Sequence, residues 1–354
     1  MKRRLTATLT ATAALGLVLA GCSSSDEGSG EDTSSQGGPS GSITVACGAM
    51  EDLCQAWTEA FTAETGINAT FVRLSSGETV ARLEAAKDAP EFDVWHGGPV
   101  DGYGAAAEAG LLEAYTSPNA EQIDEEYRDP EGYWNGVYVG VLGFCSNQKV
   151  LDDLGVEVPT SWDDLLAPEL KGQVSTAHPS TSGTAFTTLW TQVERLGGVD
   201  EAFDYMSKMH QNVLQYSKSG TAPGQIAGRG EAAVGLVFSH DCVKYQEEGM
   251  TDLVVSFPEE GTGHEVGGVA LVAGGDNVDA AQAYIDWALT AKAQELGTGV
   301  GSFQVPTNPD APRDDRMVDL EAVTLVPYDF AQAAAEKSEL TARFDAGIAA
   351  QPKE

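Results

Sequence analysis

Between Tyr133 and Asn147 the chain reads YWNGVYVGVLGFCSN, a stretch that is almost continuously apolar. An ordinary edge strand is shorter than this and alternates with polar residues, because one of its faces meets water. The segment therefore reads as a strand that leaves one lobe and carries the chain into another. A second apolar segment, Val266 to Ala273, has the character needed to carry it back. Two crossings make a hinge, and hinged lobes close over a ligand between them.

The patterns on either side of the crossings define the lobes. Ile43 to Ala46 reads as a strand, followed by a helix from Glu51 to Thr65 with Leu53, Trp57, Ala60 and Phe61 on one face and Gly66 as its stop. A strand (Asn68 to Arg73), a helix to about Asp88 and a strand (Phe92 to Trp95) follow. This β-α-β-α-β order predicts an α/β fold with a mostly parallel sheet. Ligands of such sheets sit beyond the carboxyl ends of the strands, where Cys47-Gly48-Ala49, Ser75-Ser76-Gly77 and His96-Gly97-Gly98 fall. Past the first crossing come a strand (Gln173 to Ala177), helices near 184–197, 200–209 and 223–230, and a strand from Ala232 to Ser239. Past the second, a helix from Val278 to Leu289 and a helical region near 328–349 rejoin the first lobe. The expected division is 43–138 with 270–354 for lobe 1 and 139–269 for lobe 2. About 310 residues are more than one core usually holds.

Within lobe 2, Ala177 to Thr188 reads AHPSTSGTAFTT. Ser180, Thr181 or Ser182 can cap a helix starting near Gly183, and the first turn of any helix leaves backbone N–H groups unpaired at its positive end. Such a start suits a phosphate or carboxylate, and Gly183 lets the backbone approach one closely. A helix cap alone accounts equally for the hydroxyls. A second copy of the pattern, RLSSGETVARL from Arg73, opens a helix in lobe 1. Two such starts suggest two lobes presenting helix N-termini to one guest.

The chain begins with Lys2, Arg3 and Arg4, an apolar and Thr-rich middle, and Leu19-Ala20-Gly21-Cys22. This resembles a bacterial lipoprotein signal over 1–21, in which Cys22 is expected to be the acylated residue. The Ser-, Gly- and acid-rich stretch 22–42 reads as a flexible tether, with an expected root-mean-square reach of roughly 25 Å. Removing the signal leaves 17 of the 20 basic residues against 54 acidic ones, a net charge of about −37. That argues against a nucleic-acid partner, whose phosphates need Lys and Arg. It also means that an anionic guest is attracted only by local dipoles and placed side chains, since salt screens the rest within about 8 Å. Four cysteines remain, Cys47, Cys54, Cys145 and Cys242, an even number suited to an oxidising compartment. Of three pairings, Cys47 with Cys54 and Cys145 with Cys242 is favoured by proximity and by lobe membership; buried free thiols are the alternative.

Taken in order, CGAMEDLCQAW, RLSSGETVARL, FDVWHGG, GVLGFCSN, SWDDLLAPELKG, HPSTSGTAF, GRGEAAVGLVFSHD, EGTGHEVGG and DWALT resemble ABC-transporter substrate-binding proteins. The resemblance covers Ile43 to about Phe344. It is to the group related to ferric-iron binders whose members bind hexose phosphates or small phosphonates, and it implies a two-lobed, type II periplasmic-binding fold. It further implies that Ser75, Ser76, Gly77, Thr181, Ser182, Gly183, Thr184, His240, Asp241 and Glu265 face the interlobe cleft. His240 and Asp241 are expected to end a strand, where neighbouring side chains can both leave the core. Hydroxyls and N–H groups would then hold the phosphorus group, with His240 donating to it in its charged form. Asp241 and Glu265 would hold a hydroxyl- or amine-bearing remainder at the far end. His96 stands where an aromatic residue is expected, and Pro99-Val100 replaces a more polar segment. No cofactor is implied; the implied partners are a small anionic solute, an ABC permease and the membrane through the lipid anchor, for a monomer outside the cytoplasm.

Two other functions compete with this one. Ferric iron wants phenolate, imidazole and carboxylate donors, but no Tyr-Tyr pair occurs; Ser219 to Pro223 stand at the corresponding segment, with Tyr216 nearby. A hydrolase using Ser182, His240 and Asp241 would lack a G-x-S-x-G elbow, and adjacent His and Asp cannot brace one another from behind.

Overall fold

The computed structural model describes residues 40–353. The signal, Cys22 and most of the expected tether lie outside the described residues. Strand β1 (Ser42–Cys47), helix α1 (Glu51–Thr65), β2 (Asn68–Arg73), α2 (Ser76–Ala85), β3 (Val94–Pro99) and α3 (Asp101–Glu108) follow one another as the alternation requires. A short β4 (Leu112–Glu113) and a loop lead to β5 (Asn135–Asn147), which is buried throughout. Next come α4 (Gln148–Leu154), β6 (Val174–Ala177), α5 (Gly183–Leu196), α6 (Val199–Asn212), β7 (Val213–Ser217), α7 (Ala222–Gly228), β8 (Val234–Phe238), α8 (Ser239–Glu247) and β9 (Leu253–Ser256). The chain ends with β10 (His264–Val272), α9 (Val278–Ala288), α10 (Ala291–Gln294), α11 (Leu296–Gly299), β11 (Val305–Pro306) and α12 (Phe330–Phe344).

The strands hydrogen-bond in the order β2-β1-β3-β10-β5-β8-β6-β7. Only the flanks are parallel: β1 with β2 and β3, and β6 with β7 and β8. The two crossing strands are antiparallel to each other and to their neighbours, so the sheet is mixed rather than mostly parallel. The reason is directional, since β5 leaves the first half while β10 returns to it. Strand β5 serves both halves. Its start, through Val141, pairs with β10 and β11, and its end, from Leu142, pairs with β8 and β9.

Alternation along the strands fills a core on each face. In the first half Val45, Val94, Val269 and Leu271 pack on α1 and α9, whereas Ala46, Trp95, Ala270 and Val272 pack towards α2 and α3. In the second half Phe144 and Leu236 join the cluster built on α5 and α6, and Cys145 and Val237 face α8. Disulfides join Cys47 to Cys54 and Cys145 to Cys242, tying α1 to the end of β1 and α8 to β5. The C-terminal helix does more than rejoin the first half. Phe330, at the start of α12, packs on the α3 side of the first core, while Leu340 and Phe344 belong to the second. Strand β8 stops at Phe238, so His240 and Asp241 stand in the first turn of α8 rather than at a strand end.

Candidate functional site

A small cavity of about 40 Å³ lies where the two halves meet, well below the roughly 300–1,000 Å³ usual for small-molecule sites. Ser75, Ser76, Ser182, Gly183, Thr184, His240, Asp241 and Glu265 line it. So do Gly48, Arg73, Gly98, Tyr138, Gly220 and Gln304. The two remaining residues expected there, Gly77 and Thr181, do not. The Gly77 N–H donates to the Thr181 carbonyl at 3.1 Å, which spends that donor, and the Thr181 hydroxyl is turned to the Lys218 carbonyl at 3.0 Å. These two residues join the halves beside the cavity instead of lining it.

One side of the cavity is rich in donors. Ser182 caps α5, its hydroxyl accepting from the Ala185 N–H at 3.3 Å, while the Phe186 N–H is satisfied by the Ser182 carbonyl. The first two helical N–H groups, on Gly183 and Thr184, have no acceptor within the helix, and both residues line the cavity. The start of α2 is built differently. Glu78 accepts from both the N–H and the hydroxyl of Ser75, at 3.2 and 2.7 Å, and these bonds hold its carboxyl below the usual carboxylate range. Ser75 is thus committed to its helix as a cap, and Ser76 is the freer hydroxyl. A side chain at Gly183 would lie 2.9 Å from the Ser76 Oγ and 2.7 Å from Pro99, so glycine is required for the two helix starts to approach.

Among the described residues, Arg73 is the one Lys or Arg side chain lining this cavity. It ends β2 and reaches across to the other half, donating from Nε to the Ala49 carbonyl at 3.1 Å and from a terminal nitrogen to the Ser219 hydroxyl at 3.2 Å. Its guanidinium places a fixed positive charge at the cavity wall.

The other side is acidic but largely uncharged. His240, Asp241 and Glu265 are 6%, 3% and 3% exposed. The His240 Nε2 stands 3.7 Å from Asp241 and 3.9 Å from Glu265, and its Nδ1 has no partner. Burial pushes Glu265 well above the carboxylate range, with the charges of Asp241 and Asp101 adding to the effect. Burial raises Asp241 to about 7 against the opposing pull of Arg73 and Lys244. Burial also lowers His240 to about 3, so its imidazole is neutral, in contrast to the charged form expected beside an anion. A protonated Glu265 is a hydrogen-bond donor as well as an acceptor. Gly140 makes this arrangement possible: a Cβ there would lie 2.7 Å from the imidazole and 2.9 Å from Glu265.

Tyr138 touches both sides. Its hydroxyl accepts from the Gly98 N–H at 2.9 Å, and its ring meets His240 edge-on with centroids 6.3 Å apart. His96 is turned away from the cavity. It stacks on Trp57 with centroids 3.8 Å apart and bonds the Tyr284 hydroxyl at 3.0 Å, which explains why an imidazole can stand where an aromatic residue was expected. Tyr216 is likewise outside the cavity, its hydroxyl bonded to His210 at 2.8 Å. Among the described residues no cluster of three or more His, Cys, Asp or Glu side chains is arranged to hold a metal ion.

Two half-sheets joined by crossing strands, with helix starts from both halves converging on one cavity, define a two-lobed binding protein of the type II periplasmic class. A model of bacterial extracellular solute-binding proteins matches residues 56–324. An uncharacterised protein of Haemophilus influenzae is 42% identical over 297 residues, 82% of this chain and 85% of that protein. The structure of the periplasmic binding protein AfuA from Actinobacillus pleuropneumoniae, with exogenous fructose-6-phosphate bound, is 38% identical. It superposes with a TM-score of 0.85 over 88% of this chain and 99% of that one. Iron-bound HitA from Pseudomonas aeruginosa shares the fold at 19% identity, with a TM-score of 0.74 over 87% and 99% of the two chains. The chain belongs to the bacterial extracellular solute-binding protein family. It is the extracytoplasmic solute-binding component of an ABC importer, working with a membrane permease, and it binds its solute without transforming it.

Proposed function

We propose that the solute is a small phosphorylated organic molecule of the sugar-phosphate or phosphonate class, held between lobes 43–138 with 270–354 and 139–269. The observation that carries this reading is the pairing of Arg73 and the free N–H groups of Gly183 and Thr184 on one side with neutral, buried Glu265 and His240 on the other. A phosphoryl group takes the donor side, where charge-assisted hydrogen bonds are strong. Hydroxyls of the remainder meet Asp241, Glu265 and His240, each able to accept, with Glu265 also able to donate. Holding Glu265 protonated spares the anion a full repulsion from that side. The fructose-6-phosphate bound to AfuA supports the same class of solute.

Iron is less well supported, because among the described residues Tyr138 is the only phenol lining the cavity and its hydroxyl is bonded to Gly98. In this reading the monomeric protein is tethered to the membrane through a lipid on Cys22. A thermal-shift screen of sugar phosphates, phosphonates, free sugars and ferric citrate tests the solute class, because a tight ligand raises the melting temperature of the folded state. Stabilisation by phosphorylated compounds alone is expected; stabilisation by free sugars or ferric citrate instead would overturn the reading.

A further inference from the structure

Beside the solute cavity the mouth of the cleft widens into a groove lined by Met50, Asp52, Arg73, Thr221, Lys244 and Tyr245. Lys244 lies one turn beyond His240 and Asp241 on α8, in the second half, yet its ammonium is bonded to the first. It donates to Asp52 of α1 at 2.5 Å and to the Val300 carbonyl after α11 at 2.9 Å. Leu296 and Val300 pack on the first-half core, so both partners move with that half. A third contact, to Glu248 at 3.2 Å, stays within α8. The lysine side chain is only 9% exposed although its partner Asp52 is 44% exposed. Burial by itself would lower its affinity for a proton, but the bonds to Asp52 and Glu248 prevail and hold it above its ordinary value.

Both ends of this contact stand on braced backbone. Asp52 precedes Cys54 of one disulfide by two residues, and Lys244 follows Cys242 of the other by two. An ion pair anchored this way holds two rigid bodies at a defined distance, whereas the same pair between mobile surface side chains would contribute little. Because α8 also presents Asp241 to the cavity, the contact across the mouth and the contact with solute are made by one helix. Whatever fixes Lys244 against Asp52 also fixes where Asp241 points.

We propose that Lys244 is a positioning residue for solute capture: by bonding Asp52 and Val300 it closes the mouth of the cleft and sets α8, and with it Asp241, against the bound solute. The inference concerns closure and holds for any solute of the cavity. It separates Lys244 from residues that touch the solute, since its partners all belong to the protein. Its effect falls on the lifetime of the closed state, and hence on dissociation more than on association.

The test is small-angle scattering of the full chain, together with stopped-flow binding of fructose 6-phosphate, on Lys244→Met, Lys244→Arg, Asp52→Lys and the exchanged pair Lys244→Asp with Asp52→Lys. Far-UV circular dichroism verifies that each variant is folded. Lys244→Met and Asp52→Lys are expected to enlarge the radius of gyration and to speed dissociation about tenfold or more, with association nearly unchanged. Lys244→Arg and the exchanged pair are expected to recover most of the compactness. An unchanged radius in folded Lys244→Met would overturn the proposal, as would an exchanged pair as open as Asp52→Lys alone. Failure of the parent protein to bind fructose 6-phosphate would count against the sugar-phosphate reading, while the scattering still decides the role of Lys244.

Discussion

The backbone N–H of Gly77 donates to the carbonyl of Thr181 at 3.1 Å, so the helix start in one half is bonded directly to the turn that precedes the helix start in the other. A Cβ on residue 77 would lie 2.4 Å from the Ser180 carbonyl oxygen and 2.8 Å from the Thr181 Cα. Both of those atoms are backbone and cannot yield without moving the turn. Gly77→Ala should therefore hold the halves apart and weaken solute binding about tenfold, in line with overpacking costs of about 1–3 kcal/mol. Because the clash exists only when the halves meet, the melting temperature without solute should change little. A calorimetric titration beside a thermal melt separates the two effects, and an unaltered dissociation constant would remove this contact from the account.

The buried titratable groups predict a pH dependence of stability whose sign differs between the carboxyls and the imidazole. Asp241 rises to about 7 in the folded protein, above its unfolded value, so from about pH 4 to 7 the folded state holds the extra proton and stability falls as pH rises. His240 falls to about 3, so below its unfolded value near 6.5 the unfolded state binds the extra proton and stability falls as pH drops. Asp241→Asn should thus leave the solute-free protein more stable at pH 7.5 by up to a few kcal/mol, and about equally stable at pH 4. The same variant should bind solute more weakly. Denaturant melts at the two pH values check this; a stability difference that is larger at pH 4 would contradict the assignment.

The two disulfides should differ in weight. The Cys145–Cys242 bridge spans 97 residues and Cys47–Cys54 only seven. Loop-closure entropy assigns the long bridge about 4–5 kcal/mol and the short one about 2–3. Paired Cys→Ser variants compared by urea melts read this directly, and loss of the long bridge should be the more damaging.

Much of this site can be read from the chain because its chemistry is local. Ser182 before Gly183 announces a cap and a helix start, and both are found. That Gly77 and Thr181 lie beside the cavity is not legible in the sequence, because a glycine beside hydroxyls carries the same signal whether its N–H meets a solute or another backbone. Only the distance between lobes decides that, and it is a long-range property. The place of Arg73 is hidden in the sequence because a strand-end arginine is ordinarily solvated, and its turn towards Ser219 depends on a residue far along the chain. Tyr138 hides inside the apolar run of β5, and Gln304 sits in a loop without pattern. His240 and Asp241 were expected to end a strand, since an apolar run does not reveal whether its last residue pairs with a neighbour or opens a helix. The mixed sheet was missed for a similar reason: strand direction follows from which lobe the chain is leaving.

Anchoring has its own test. Cys22→Ser should release the protein from cell membranes into the soluble fraction. Fractionation followed by immunoblotting reads the outcome, and continued membrane association would contradict a lipid on that residue.

The most direct test of the central claim is isothermal titration of fructose 6-phosphate and of fructose into the parent protein and into Arg73→Gln. The account predicts one-site saturation by the ester and about 100-fold weaker binding of the free sugar, the magnitude of two charge-assisted hydrogen bonds, with Arg73→Gln erasing most of that difference. Equal affinity for ester and sugar, or preferential binding of ferric ion over both, would contradict it.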